Sequence, residues 1–290
     1  MQNMQADMAL EHGISELFDF FARHRKVLLL TGAGISTASG IPDYRDSNGA
    51  RRAAKPVQGE DFRRCEAARK RYWARSMVGW PVLARAEPNA AHCAIAALQA
   101  NRSLGDIITQ NVDGLHQRAG SSELTELHGN IHRVVCLTCA RQFSRAVVQT
   151  WLEYDNPDLM HVTAPAAPDG DAQIDASHDE RELLLDFRIP CCMHCHGMLK
   201  PDVVFFGDGV ALAQSTAAQE KLAAADALLI VGSSVMVLSS FRLCRAAFET
   251  GKALAAINLG ATRADHLLSF KTRGQAEHVL PLLARLLGAM

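Results

Sequence analysis

The chain alternates between short unbroken apolar runs and longer stretches in which apolar residues recur every third or fourth position. Ile14, Leu17, Phe18 and Phe21 fall at i, i+3, i+4 and i+7, one face of a helix. Its acidic residues, Glu16 and Asp19, come early and its basic ones, Arg23, Arg25 and Lys26, come late, as the helix dipole prefers. Residues 1–13 show no sustained period and are expected to form a loose arm. The run Val27 to Leu30 reads as a buried parallel strand, because continuous apolarity suits a strand covered on both faces. Asn89 can cap a helix whose apolar face is Ala91, Ala94, Ile95 and Leu98. Further strands are predicted at 106–109, 203–208, 227–231 and 253–257. Helices are predicted at 211–225, at 239–250 with Gly251 as its stop, and from Ala276 with Val279, Leu282, Leu283 and Leu286 on one face. Strand–helix alternation of this kind predicts an α/β fold with a doubly wound parallel, Rossmann-like sheet, built from residues 14–133 and 200–290.

Composition narrows the functional classes. A length of 290 residues with 48% apolar and 21% charged residues is ordinary for a globular chain with a sizeable core. A net charge of −1 gives no electrostatic case for nucleic acid. No run of 18 apolar residues offers a membrane span. Asp7 and Glu11, with no Lys or Arg before Arg23, fit neither a secretory nor a mitochondrial leader, so a cytoplasmic location is expected. Residues 46–87 are polar and rich in arginine, which reads either as a solvated helical face or as a small helical module over a ligand.

Polar chemistry collects just past the strand ends, where open α/β sheets hold their ligands. The first strand runs into Thr31-Gly32-Ala33-Gly34-Ile35-Ser36, a turn in which glycine lets a backbone approach phosphate and a following helix start offers N–H groups. Thr37 breaks the full Gly-x-Gly-x-x-Gly fingerprint, so a plain strand-to-helix turn fits equally well. Pro42 then ends any helix and releases a polar loop, Ile41 to Arg45, carrying Asp43, Tyr44 and Arg45. The second strand ends in Gln110-Asn111-Val112-Asp113, a capped turn or a ligand cluster. His128 follows; a lone histidine is most often structural, yet Gly129 leaves its ring uncrowded, and a pKa of about 6.5 suits a general base. Later strands end in Gly232-Ser233-Ser234 and Asn258-Leu259-Gly260.

Eight cysteines include two Cys-x-x-Cys pairs, Cys136/Cys139 and Cys192/Cys195. One pair alone could serve redox chemistry. Two pairs flanking one insertion favour a single tetrahedral Cys₄ zinc, closed to solvent and therefore structural. Cys192 is preferred over Cys191 because it alone restores the two-residue spacing. The predicted zinc module is 134–199, and the 52 residues between the knuckles, 140–191, exceed what a minimal ribbon needs.

The segment Gly-Ala-Gly-Ile-Ser-x-x-Ser-Gly-Ile-Pro-Asp-Tyr-Arg, followed by Gln-Asn-x-Asp, His-Gly, the paired knuckles, Phe-Gly and Gly-Ser-Ser in order, resembles the sirtuins, NAD-consuming protein-lysine deacylases. The likeness covers about 15–285. It implies NAD as co-substrate and one structural Zn²⁺. NAD contacts would come from Gly32, Ala33, Gly34, Ile35, Ser36, Ile41, Asp43, Tyr44, Arg45, Gln110, Gly232, Ser233, Ser234, Asn258, Leu259, Gly260 and Ala276. Asn111 would position the nicotinamide ribose, Asp113 the carboxamide, and His128 would be the base. An acyl-lysine peptide would pair with Val204, Phe205, Phe206 and Gly207 on one side and Val235 and Val237 on the other. Residues 46–87 would be the cofactor-loop module, where Tyr72 and Arg75 have the Tyr-x-x-Arg spacing that one sirtuin branch uses for acidic acyl groups. The implied reaction moves the acyl group to ADP-ribose and releases nicotinamide; the alternatives are protein ADP-ribosyl transfer or lipoamidase-type deacylation. The long insertion and the Pro-Asp-Tyr-Arg loop resemble the class II branch, to which the mitochondrial lipoamidase and ADP-ribosyltransferase type belongs. A monomer acting on acyl-lysine proteins, with no nucleic-acid or membrane partner, is the expected state. A hydride-transferring dehydrogenase would instead want glycine at Thr37 and an acid about 20 residues on. A zinc-ribbon nucleic-acid protein is disfavoured by the near-neutral charge.

Overall fold

The computed structural model describes residues 2–44, 57–164, 171–172 and 184–290. In chain order its elements are α1 (Gln2–Arg23), β1 (Val27–Thr31), two 3₁₀ turns (Ala33–Ile35 and Thr37–Ser39), α2 (Gly59–Arg64), α3 (Glu66–Arg85), α4 (Ala90–Ala100), β2 (Ile107–Thr109), α5 (Leu115–Arg118), β3 (Leu124–Glu126) and β4 (Gly129–Cys136). The second half continues with β5 (Gln142–Ser144), α6 (Arg145–Asp155), a 3₁₀ turn (Pro157–His161), β6 (Leu199–Val203), α7 (Leu212–Ala224), β7 (Ala227–Val231), α8 (Leu238–Glu249), β8 (Ala253–Ile257), β9 (Phe270–Thr272) and α9 (Ala276–Leu286).

The apolar runs are unbroken because both faces of the large sheet are covered. In β1, Val27 and Leu29 join the core under α1, α4 and α9, whereas Leu28 and Leu30 join the core under α7 and α8. β7 divides in the same way, Leu229 and Val231 to one side and Leu228 and Ile230 to the other. The six strands lie in the order β3-β2-β1-β7-β8-β9, all parallel. Strand order therefore reverses between β1 and β7, which opens a crevice at their carboxyl ends.

A second sheet, antiparallel and ordered β5-β4-β6, carries the cysteine knuckles. It shares an apolar cluster with α3 and α6 that includes Phe62, Tyr72, Trp73, Val134, Val148 and Leu199. Arg145, fully buried at the start of α6, lies over the rings of Trp73 and Trp80 at 5.6 and 4.8 Å and donates to the Ser76 carbonyl at 3.1 Å. Burial lowers its pKa to about 10, so it stays charged at neutral pH and pins the helical module to the knuckle module.

Several expectations need correction. Residues 2–13 of the expected arm form the first half of α1. Its Gln, Met and Ala residues favour helix without supplying a period. Gly13 lets α1 sit on the sheet margin: a Cβ there would lie 2.6 Å from Thr272 Cγ2, and Thr272 Oγ1 donates to the Gly13 carbonyl at 3.1 Å. Phe18 is exposed and Phe20 buried, and in α9 Leu282 and Leu286 are exposed while Leu280 and Ala284 are buried. In both helices the covered stripe is rotated from the one the spacing suggested. The boundaries at 133/134 and 199/200 cut through β4 and β6. The strand expected at 203–208 lies instead at Leu199–Val203 in the small sheet; beyond it the Val204 amide donates to the His128 carbonyl and Phe206 forms an isolated bridge with Gln58. No helix is long and apolar enough to cross a membrane among the described residues.

Candidate active site and metal centre

A cavity of about 930 Å³ occupies the crevice at the strand ends. Of the residues expected to bind a dinucleotide, Gly32, Ala33, Gly34, Ser36, Ile41, Asp43, Tyr44, Gln110, Asn111, Asp113, Gly232, Ser233, Ser234, Asn258, Leu259, Gly260 and Ala276 line it. His128 lines it too, as do Val204, Phe205, Phe206, Gly207, Val235 and Val237. Ile35 does not: it is fully buried in the core under α4 and α9, and its carbonyl accepts from Asn89 Nδ2 at 2.8 Å. Arg45 lies outside the described residues. Tyr72 reaches the cavity wall; Arg75 does not.

The glycine turn works differently from the sequence expectation. Among the described residues, two 3₁₀ turns and not an α-helix come directly after it. The amide of Gly32 donates to the Val231 carbonyl at 3.1 Å and that of Gly34 to the Gly232 carbonyl at 2.8 Å, so both are spent within the fold. Gly232 has φ +58, and a Cβ on it would come within 2.4 Å of the Ile35 amide nitrogen. The glycines thus bring the β1 and β7 loops into backbone contact and set the floor of the cavity.

Around that floor the polar side chains form one chain of hydrogen bonds. Asn111 Nδ2 donates to Ser36 Oγ at 3.1 Å, and Ser36 donates to Asp113 Oδ2 at 2.7 Å. Asp113 Oδ1 accepts from the Leu115 amide at 2.9 Å, which holds the carboxylate rigid. Gln110 Nε2 reaches Ser233 Oγ at 2.8 Å and ties β2 to the β7 loop.

Beneath this loop, Thr31 Oγ1 donates to Thr109 Oγ1 at 2.8 Å and accepts from His116 Nε2 at 2.9 Å. His92 Nδ1 accepts from the Asn89 amide at 3.3 Å, completing the cap of α4, and its ring stands edge-on to His116 at 5.0 Å. Both imidazoles are buried and neutral: burial pulls His92 down to about 4 against the attraction of Asp113, and burial with the neighbouring His92 pulls His116 down to about 3. Unfolded, both would take up protons near 6.5. The unfolded chain therefore binds more protons as pH falls below that value, and folding stability should drop steadily toward pH 4. Urea midpoints measured from pH 7 to pH 5 should fall, and less steeply in His116→Phe.

His128 is carried on the turn between β3 and β4. Gly129 has φ +85, and a Cβ there would lie 2.0 Å from the Asp202 carbonyl oxygen, so no other residue fits the turn. Nδ1 lies 3.1 Å from the Gln110 carbonyl, which can only accept; Nδ1 therefore bears the hydrogen, and Nε2 accepts from Ser239 Oγ at 2.9 Å. Burial lowers the pKa of this ring, although the Gln110 carbonyl works the other way. Ser239, also in the cavity wall, was expected only as the first residue of a helix, yet its hydroxyl turns to the histidine.

The four cysteine sulfurs of Cys136, Cys139, Cys192 and Cys195 all lie within 4.8 Å of one another. Cys136 to Cys195 is 3.5 Å and Cys139 to Cys192 is 3.8 Å. Four thiolates tetrahedral about one zinc at about 2.3 Å would be about 3.8 Å apart, so the set fits the ion. The amides of Thr138 and Cys139 point at Cys136 Sγ at 3.4 and 3.5 Å, as a metal knuckle requires. Cys191 is exposed and outside the set.

Comparison with known proteins bears on this geometry. The Sir2 family model matches residues 32–239. A protein of Pseudomonas syringae pv. tomato named NAD-dependent protein deacetylase 3 is 49% identical over 90% of this chain and 91% of its own. An Arabidopsis thaliana protein named NAD-dependent protein deacylase SRT2 is 42% identical over 95% of this chain and 77% of its own. A solved structure of Sir2 with a p53 peptide and NAD⁺ superposes with a TM-score of 0.73 at 26% identity, covering 95% of this chain and 98% of that one.

Proposed function

The chain belongs to the Sir2 family, and from that premise we propose that it is an NAD-dependent protein-lysine deacylase working through His128. When bound, NAD would supply the ribose carbon that accepts the acyl oxygen, and with one water consumed the products would be nicotinamide, free lysine and O-acyl-ADP-ribose. The residues of this chain hold and prepare the reactants. Asp113, locked by Ser36 and the Leu115 amide, anchors the nicotinamide carboxamide beside Ile41. Asn111, tied to the same Ser36, orients the ribose. An acyl-lysine peptide lies between Val204–Gly207 and Val235–Val237 by main-chain pairing, which tolerates many sequences. Nε2 of His128 exchanges the Ser239 hydroxyl for a ribose hydroxyl and takes its proton. The observation that carries the reading is this neutral imidazole, whose Nε2 lone pair is held only by the Ser239 hydroxyl in the same cavity as the Asn111–Ser36–Asp113 chain.

The test is an acetyl-lysine peptide with NAD, monitored for nicotinamide and free lysine. Equal release of both is expected; NADH absorbance, or nicotinamide release indifferent to the peptide, would overturn the reading. ADP-ribosyl transfer to protein uses the same activated carbon, and radiolabel from NAD remaining on protein would mark it. We assign the chain to the class II branch on the Pro-Asp-Tyr-Arg loop and the long insertion between the knuckles. Because burial lowers the His128 pKa, the base stays neutral into mildly acidic solution. The acid limb of kcat should therefore lie below about 6.5, the ordinary imidazole value, and a limb above 7 would contradict this assignment.

A further inference from the structure

Tyr72 and Arg75 carry the spacing that would read an acidic acyl group, but the two side chains have different surroundings. Tyr72 is buried in an aromatic cluster, 5.1 Å from Phe205 and 5.4 Å from Phe62 between ring centroids, and it reaches the cavity. Phe205 also forms one edge of the cleft. An acyl chain entering along Phe205 therefore runs on toward Tyr72. Arg75 stands behind that wall, and its Nη2 is 3.0 Å from Asp171 Oδ2. The side chains are only 22% and 11% exposed, so the pair is poorly screened by water. Asp171 belongs to the insertion between the cysteine knuckles, and the next residue binds the same helix: the Ala172 amide donates to the Arg75 carbonyl at 3.0 Å. Asp171 itself lines the cavity.

We propose that Asp171 is a specificity-determining residue that makes this cavity select neutral acyl groups over carboxylate-ended ones. The inference rests on the deacylase reading above. An acyl carboxylate would meet the carboxylate of Asp171 first and could reach Arg75 only by breaking an ion pair already formed. A neutral acyl chain meets the apolar edges of Tyr72 and Phe205 and disturbs neither charge. The insertion thus converts a residue pattern for acidic groups into one that repels them, a specificity built on the unfavourable partner.

The experiment compares acetyl-lysine, octanoyl-lysine and glutaryl-lysine peptides with NAD, reading kcat/KM by nicotinamide release for the native chain, Asp171→Asn, and Asp171→Asn with Arg75→Gln. The native chain should prefer the neutral peptides by about tenfold or more, and Asp171→Asn should raise the glutaryl-to-acetyl ratio by about tenfold, equivalent to about 1.4 kcal/mol. The double variant should lose that gain, because Arg75 supplies it. A native chain that takes glutaryl-lysine as readily as acetyl-lysine would overturn the proposal, as would a ratio unmoved in Asp171→Asn. Absence of nicotinamide release from every acyl peptide would instead strike the deacylase reading beneath it. Using a ratio within each protein removes any general loss of folded enzyme.

Discussion

Replacing His128 with alanine should lower turnover on an acyl-lysine peptide by about 10²–10⁴-fold, the usual worth of a positioned general base, while NAD still binds. The side chain meets the two demands on a base. Its Nδ1–H is fixed by the Gln110 carbonyl at 3.1 Å, so the tautomer is set before any reactant arrives. Its Nε2 faces a hydroxyl, Ser239, at 2.9 Å, which a ribose hydroxyl can replace without turning the ring. The cavity floor does not depend on the imidazole, because the amide of Gly32 is held by the Val231 carbonyl, that of Gly34 by Gly232 and that of Gly232 by Ile257. Calorimetric NAD binding should therefore remain within a few-fold of native, and an unaltered kcat would remove His128 from the reaction.

Stripping zinc should abolish both the stability of the small sheet and the activity of a cavity that contains none of the cysteines. The reason is a single ladder. β4 and β6 pair at Cys136 with Leu199 beside the knuckles, and at Gly129 with Val203 beside the cavity. One residue further, the Val204 amide donates to the His128 carbonyl at 2.9 Å. The free energy of closing a Cys₄ zinc site, on the order of 10 kcal/mol, is folding free energy for whatever is built on it. One zinc per chain is expected by elemental analysis. Chelation, or Cys192→Ser, should lower the melting temperature and eliminate nicotinamide release, whereas Cys191→Ser should leave both alone. A zinc-free chain that melts at the native temperature would refute the structural role.

How much of this was legible beforehand depends on what each residue answers to. β1, β7 and β8 are covered on both faces, and their unbroken apolar runs announce that. β3 and β9 are three-residue margins, Leu-Thr-Glu and Phe-Lys-Thr, and nothing in such short mixed runs separates them from turns. Strand-end polar clusters were readable because the parallel fold dictates where ligands go; the placement of Asn111, Asp113 and His128 around one cavity followed. Ile35 failed because its motif neighbours face the cavity while it turns into the core. Ser239 and Asp171 were missed for a common reason: each acts through a partner more than 90 positions away, and spacing carries no trace of such pairs.

Both margins of the large sheet are roofed. α1 lies along β9, with Phe20 against Phe270 at 5.7 Å, and Lys221 of α7 ties down the strip beside β3 through Asp106 at 2.9 Å. Unpaired strand margins are where foreign chains attach and fibres grow, and covering them is how proteins stay apart in crowded solution. The consequence is that a foreign backbone finds no long bare ladder on the large sheet, so copies of this molecule gain little by stacking edge to edge.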